Sequence, residues 1–355
     1  MEFKRIDIDN SAKRENSACI LIIYTGGTFG MAYDDRDGLI PFNFREIMIN
    51  IPVLDKFDLH FAVSAAKEPL DSSNLGPVEW TAISNEIIRY YDKFDGFVIL
   101  HGTDTMAYSA SALSFLLRGI EKPVILTGAQ IPIGAIRSDA RENLITAIEI
   151  ASTLSGDKPM VQEVCIYFNE ELLRGNRSVK IKSSEFGAFA SLNYPILAKA
   201  GINIEYNEEV MLKVKDKDSF IEEPVFDGNV NVLRMYPGLN ESSVEAILAT
   251  KNMRGLIIES YGSGNMSTED WFLEKLTNAI DKGLLIVNVS QCIGGKIDQG
   301  KYYTSRKLNE IGVISGKDIT TEAALSKLML LFGQYQDRDE IAREFQRSWA
   351  GEITE

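Results

Sequence analysis

Histidine and cysteine are scarce in this chain of 355 residues, which holds two of the former and three of the latter. Two histidines argue against a His-rich metal centre. Cys19, Cys165 and Cys292 are odd in number, far apart and form no CxxC pair, so neither a disulfide framework nor a zinc site is indicated. Positive charge is also short. With 37 Lys and Arg against 51 Asp and Glu, the formal net charge is −14, which repels phosphate backbones and speaks against nucleic-acid partners. The acidic excess serves solubility. No apolar run approaches the roughly 18–20 residues of a membrane helix, and the start, MEFKRIDIDNSAKREN, has no apolar core ahead of a cleavage site. A cytoplasmic protein without membrane association is therefore predicted.

What is present reads as an ordinary globular chain, 45% hydrophobic and 25% charged, and its length favours two domains. Short runs rich in Ile, Val and Leu recur at Cys19 to Tyr24, Leu59 to Val63, Phe97 to Leu100, Val124 to Leu126 and Val164 to Phe168. Amphipathic segments separate most of them. Ile83, Ile87, Ile88 and Tyr91 share one helical face; Leu144, Ile148 and Ala151 share another, behind a Ser138 cap. Alternating strand and helix predicts an α/β fold with a largely parallel sheet covered on both faces. The stretch from Glu205 to Asp227 is dense in charge and reads as a junction with a strand or two of its own. Beyond it the alternation resumes through Val230 to Met235, Leu256 to Ile258 and Leu284 to Val289, and ends in helices near Thr320 to Gly333 and Asp339 to Trp349. The expected organisation is a larger N-terminal α/β domain over 1–205, a linker over 206–228, and a smaller C-terminal α/β domain over 229–355.

In open α/β sheets, ligands gather at the carboxyl ends of the strands. Directly after the apolar runs stand Thr25-Gly26-Gly27-Thr28, His101-Gly102-Thr103-Asp104-Thr105 and Thr127-Gly128-Ala129-Gln130, with Ser260-Tyr261-Gly262 and Ser290-Gln291-Cys292 in the second half. Glycines there let backbone amides approach a ligand, and threonines offer hydroxyls. Any one such loop reads equally well as a plain strand-to-helix turn. The chain has no GxxxxGK[ST], its nearest dinucleotide-like string at Gly262–Ser267 lacks the third glycine, and no GxSxG occurs. Nucleotide binding and the common α/β serine hydrolase both lose their signal. Hydroxyl-bearing loops at adjacent strand ends suit attack on a carbonyl, and a threonine nucleophile needs a relay to take its proton. Thr103 and Asp104 set a hydroxyl beside a carboxylate, and Lys180 on the turn Arg174 to Lys180 supplies an amine.

Those loops, taken together, resemble bacterial type I asparaginases over nearly the whole chain. The most specific match is Asp95-Gly96-Phe97-Val98-Ile99-Leu100-His101-Gly102-Thr103-Asp104-Thr105-Met106-Ala107-Tyr108. It is joined by Tyr24-Thr25-Gly26-Gly27-Thr28, Asp71-Ser72-Ser73, Leu126 to Pro132, Arg174-Gly175-Asn176-Arg177, Ala188 to Ser191, Tyr236-Pro237-Gly238, Ser260-Tyr261-Gly262, Gly312-Val313-Ile314 and Thr321-Glu322-Ala323. The resemblance implies hydrolysis of the L-asparagine side-chain amide with no metal or organic cofactor, in a homodimer or homotetramer whose sites lie between subunits. It makes Thr28 the nucleophile, and Thr103, Asp104 and Lys180 a second triad that moves protons. Asp71, Ser72 and Ser73 would grip the substrate's α-carboxylate and α-amino groups, with Asp104 also facing the ammonium, and the Ala129 carbonyl would face the leaving amide.

Two departures accompany the match. Many relatives carry a tyrosine just before an Ile-Pro or Val-Pro pair; here Leu39 precedes Ile40-Pro41, leaving Tyr33 and Tyr302 as substitutes, of which Tyr302 is favoured. Enterobacterial relatives use an arginine at an effector site where Glu259 stands here, so cooperativity in asparagine is expected to be weak or absent. His101 reads as structural and Cys292 as a structural thiol. Two rival readings are an amidase subunit acting on glutamine or aminoacyl-tRNA, disfavoured by the 24 residues that precede Thr25, and a non-catalytic amino-acid sensor, disfavoured by the presence of Thr28, Thr103, Asp104 and Lys180.

Overall fold

The computed structural model describes residues 1–7, 17–34, 38–41, 57–213, 220–300 and 303–355. The chain forms two compact units, Met1–Glu223 and Pro224–Glu355, which divide inside the charged junction segment.

In the first unit β1 (Phe3–Asp7) precedes β2 (Cys19–Gly26), a hairpin of β3 (Met31–Asp34) and β4 (Gly38–Pro41) follows, and β5 (His60–Leu70) continues well past the apolar run ending at Val63. Then come α1 (Pro77–Tyr90), β6 (Gly96–Leu100), α2 (Met106–Leu116), β7 (Val124–Thr127) and α3 (Ala140–Ser152). The small pair β8 (Leu154–Ser155) and β9 (Lys158–Pro159) leads to β10 (Val164–Phe168) and β11 (Glu171–Arg174). A hairpin of β12 (Val179–Lys180) and β13 (Phe189–Ala190), then β14 (Ala198–Ala200) and β15 (Ile204–Tyr206), complete the unit.

The main sheet has the order β1-β5-β2-β6-β7-β10-β11-β14-β15. Its centre, from β5 through β10, is parallel, and antiparallel strands extend it on both sides. Strands covered on both faces must be apolar at every position rather than at alternate ones, and β6, β7 and β10 are buried throughout. On one face Ile20, Ile22, Val98, Leu100 and Ile125 form a core with Leu144, Ala147, Ile148 and Ala151 of α3. Each such aliphatic side chain contributes about 1.5–3 kcal/mol on burial. The expected Ser138 cap of α3 is displaced by one residue. Asp139 occupies the N-cap position without a side-chain capping bond to the helix backbone, while Ser138 Oγ accepts from Ala140 N at 3.1 Å.

In the second unit β16 (Val230–Arg234), α4 (Glu241–Leu248), β17 (Gly255–Ser260), α5 (Asp270–Asp281), β18 (Leu285–Ser290), α6 (Tyr303–Glu310) and β19 (Ile314–Ser315) alternate, and α7 (Thr321–Gln334) and α8 (Arg338–Gln346) close the chain. The four strands pair in parallel in chain order. Leu256, Ile258 and Ile286 of the sheet pack with Phe272, Leu276 and Ile280 of α5. Among the described residues, no helix is long and apolar enough to cross a membrane.

A buried ion pair ties the chain's end to this unit. Lys327 of α7 donates to a Glu352 carboxylate oxygen at 2.6 Å and to Phe345 O at 3.0 Å, and both charged side chains are fully buried. Loss of water lowers the Lys327 pKa, an effect the Glu352 charge opposes. Glu352 also accepts from Trp349 N and Ala350 N. Removing one member strands the other charge in low dielectric, which costs about 3–5 kcal/mol. Lys327→Met is therefore expected to lower the free energy of unfolding in denaturant by that amount, and Lys327→Met with Glu352→Leu by clearly less. Equal losses in the single and double variants would show that the charge pairing is not what matters.

Candidate active site

Strands β5, β2, β6 and β7 are parallel neighbours, so the loops that leave their carboxyl ends share one edge of the sheet. Backbone geometry forces three of these loops into contact. Gly27 follows β2 at φ +83°, and a methyl group there would lie 2.4 Å from Gly102 Cα and 2.5 Å from Gly102 N. A methyl group on Gly102 would in turn lie 2.6 Å from Ser72 Oγ. Only residues without a side chain permit this stacking. Thr28, half-buried at the start of a short 3-10 turn, is bonded directly to Gly27, and Thr103 directly to Gly102. Thr105 Oγ1 donates to Ser72 O at 2.7 Å, fastening the loop after β6 to the one after β5. Within the latter, Asp71 accepts from Ser73 N at 2.8 Å, and this amide holds its carboxyl below the usual range.

Lys180 reaches the same edge from the β12–β13 hairpin, where it pairs with Phe189. Its ammonium donates to Thr103 Oγ1 at 2.8 Å and to Asp104 Oδ1 at 2.7 Å. Thr103 is 7% exposed, whereas the Asp104 side chain is 66% exposed, so the ion pair opens outward from a covered hydroxyl. The fourth loop follows β7. Ala129 is buried, and Asp139 accepts from Gln130 N at 3.0 Å, from Ile131 N at 3.0 Å and from Asn143 Nδ2 of α3 at 3.2 Å. Asn143 Nδ2 donates to Gly128 O at 3.0 Å. His101 is fully buried, its Nδ1 donates to Gly102 O at 2.7 Å, and burial pushes its pKa down to about 4. A ring kept neutral there braces the loop and takes up no second proton near neutral pH.

The N-terminal asparaginase family model matches residues 19–212, and the glutaminase/asparaginase C-terminal domain model matches residues 229–345. This chain belongs to the asparaginase family. L-asparaginase 1 of Escherichia coli K12 is 38% identical over 338 residues, covering 94% of this chain and 98% of that protein. The crystal structure of L-asparaginase I from Vibrio cholerae matches with a TM-score of 0.86 at 38% identity, covering 95% of this chain and 99% of that one. The thermostable L-asparaginase from Thermococcus kodakarensis matches with the same TM-score at 30% identity, over 95% of this chain and 99% of that one.

Of the residues singled out from the sequence, Thr28, Asp71, Ser72, Ser73, Thr103, Asp104 and Ala129 sit in the four loops at this asparaginase-family edge, and Lys180 reaches into it. Tyr302 lies outside the described residues. Tyr33 is on β3, opposite Leu39 of β4. Three supporting residues carried no assigned role in the sequence: Gln130, Asp139 and Asn143. Gln130 stands next to Ala129 in the strand-end motif, but Asp139 reads as an ordinary helix start, and nothing local marks its bonds back to the start of its own connection. In the second unit Glu259 accepts from Thr321 Oγ1 at 2.8 Å and pairs with Arg234 at 3.3 Å. Neighbouring Glu322 is pushed up to about 7, chiefly by burial and further by Glu259. Among the described residues, no group of three or more His, Cys, Asp or Glu side chains could hold a metal ion.

Gly27→Ala is expected to force its loop from Gly102 and to strain a positive φ, destabilising the fold by at least about 2 kcal/mol and cutting turnover more than about tenfold. Urea unfolding and steady-state rates check this together. A variant with wild-type stability and rate would show that the close contact is dispensable.

Proposed function

We infer that this chain is an L-asparaginase, hydrolysing L-asparagine to L-aspartate and ammonia through the Thr28 hydroxyl without a metal or organic cofactor. The observation that carries this reading is the contact between the Gly27 and Gly102 backbones, with Lys180 bonded to both Thr103 and Asp104. Thr28 Oγ1 attacks the side-chain amide carbon, and its proton leaves toward the neighbouring polar groups. The oxyanion that forms on the amide oxygen is stabilised by backbone amides of the glycine-bearing loops. Breaking the carbon–nitrogen bond, with a proton delivered to nitrogen, releases ammonia and leaves an aspartyl ester on Thr28. Water then attacks the ester with Thr103, Asp104 and Lys180 moving its proton, and the Thr28 oxygen leaves with a proton to free aspartate.

Substrate positioning follows from charge. Asp71 and Asp104 offer carboxylates to the α-ammonium group, Ser72 and Ser73 offer donors to the α-carboxylate, and the buried Ala129 contributes its carbonyl toward the leaving amide. A zwitterion held at both ends presents its amide at a fixed distance, which converts binding energy into rate. A tyrosine, Tyr302 in preference to Tyr33, assists Thr28. The enzyme is cytoplasmic and works as a homodimer or homotetramer, as the family resemblance implies.

Ammonia release from asparagine and from glutamine by the purified protein tests the activity. Thr28→Val is expected to lower kcat at least about 10³-fold while the thermal midpoint stays within a few degrees. Wild-type protein that binds asparagine but releases ammonia from neither amide would make it a sensor rather than an enzyme.

At the Glu259 position the carboxylate repels a second asparagine's α-carboxylate. The rate curve in asparagine is expected to be hyperbolic, with a Hill coefficient of about 1. A steeply sigmoidal curve would overturn this.

A further inference from the structure

We propose that Gln130 is a positioning residue of the same site, fixing the rotation of the Thr103 hydroxyl and tying it to the hairpin that carries Lys180. The proposal rests on the reading of Thr103 and Lys180 given above. Lys180 is a donor, so its 2.8 Å bond occupies a lone pair on Thr103 Oγ1. The hydroxyl must therefore send its own proton elsewhere. Its acceptor is Gln130 Oε1, at 3.4 Å, a long bond in a place where the hydroxyl is covered. The other end of the same amide, Gln130 Nε2, donates to Glu185 O at 2.9 Å. Glu185 lies between β12 and β13, in the connection that follows Lys180, and is itself ion-paired with Lys182.

One side chain thus bridges the hydroxyl and the hairpin that delivers the ammonium to it. The Gln130 backbone is clamped by Asp139 through two bonds to its N–H, at 3.1 and 3.0 Å, so the side chain starts from a fixed point. For Lys180 to receive a proton from Thr103, rather than donate to it, the hydroxyl has to rotate from Gln130 toward the amine. Gln130 therefore sets which of two proton arrangements the resting site holds. The residue is half-buried and forms one wall of an open cavity of about 410 Å³ with Ile131, Arg137, Ser183 and Phe186. Substituting it removes polar contacts without emptying a core.

Three variants test this, each with kcat, KM and thermal midpoint measured. Gln130→Met keeps the length and removes both bonds. It is expected to lower kcat about fivefold to tenfold, the scale of one lost neutral hydrogen bond, with KM within about twofold and the midpoint unchanged. Gln130→Glu keeps an acceptor for Thr103 and loses the donor to Glu185, and is expected to recover most of that loss in kcat. A Gln130→Met enzyme with wild-type kcat, or one whose KM rises along with the fall in kcat, overturns the proposal. So does a Gln130→Glu enzyme as slow as Gln130→Met, which would assign the role to the hairpin anchor alone. Should Gln130→Met not fold, Gln130→Ala replaces it with the same expected outcome. Thr103→Val, run beside them, separates the two levels. If it turns over normally, the reading of the site is wrong; if it is inactive while Gln130→Met is fast, only the role of Gln130 is.

Discussion

The arrangement depends on one steric fact: two backbones touch where neither residue has a side chain. Gly27 and Gly102 approach so closely that a carbon added at Gly27 would lie 2.4 Å from Gly102 Cα, while one added at Gly102 would meet Ser72 Oγ at 2.6 Å. Because the contact is made by main chain, it leaves the adjoining threonines little freedom. Side-chain rotamers can relax around a bulky group, but a peptide pressed against another peptide can yield only by moving its strand. The strands concerned, β2 and β6, are neighbours in the buried parallel centre of the sheet and are held in register over five residue pairs. This edge inherits its precision from the core.

A layer of polar bonds directed at the backbone translates that precision into side-chain placement. Thr25 Oγ1 donates to Leu100 O at 3.0 Å, and Thr127 Oγ1 to Tyr167 O at 2.8 Å, each across to a neighbouring strand. His101, Asp139 and Asn143 do the same for the loops after β6 and β7. All of these groups but the half-buried Asp139 are buried, and a buried polar atom left unsatisfied would cost about 1–3 kcal/mol. The four loops are thus locked by the ordinary need to pair buried donors and acceptors, and the site's charged groups, Asp71, Asp104 and Lys180, are added on the solvent side of that scaffold. The second unit solves a different problem with a similar device, burying the Lys327–Glu352 pair to hold the chain's last turn.

Legibility followed physical periodicity. The parallel strands were visible as apolar runs because burial on both faces demands apolar residues throughout. The helix α2 was not marked out, although every residue but Tyr108 is buried, because a helix enclosed on all sides has no polar face to create a 3.6-residue rhythm. The antiparallel extensions β1, β11 and β14 were missed for the opposite reason. They are short or carry charge, as in Phe3–Asp7 with its lysine, arginine and aspartate, and their pairing is decided by what lies beside them. Ser138 was placed one residue early: Asp139 holds the N-cap position with its carboxylate bonded back to Gln130 and Ile131, and Ser138 Oγ still accepts from the first helical N–H, that of Ala140.

The sequence by itself determined the family, the α/β alternation and the identity of the chemical groups, since these reside in motif order and residue type. It also marked Gly27 and Gly102 as turn glycines. Only the tertiary structure decided that those two glycines touch each other and that Lys180 meets Asp104 from a hairpin 76 positions along the chain, bonding Thr103 as well. The reason is that contacts between residues distant in sequence are fixed by strand order and register, which no local pattern of residues encodes.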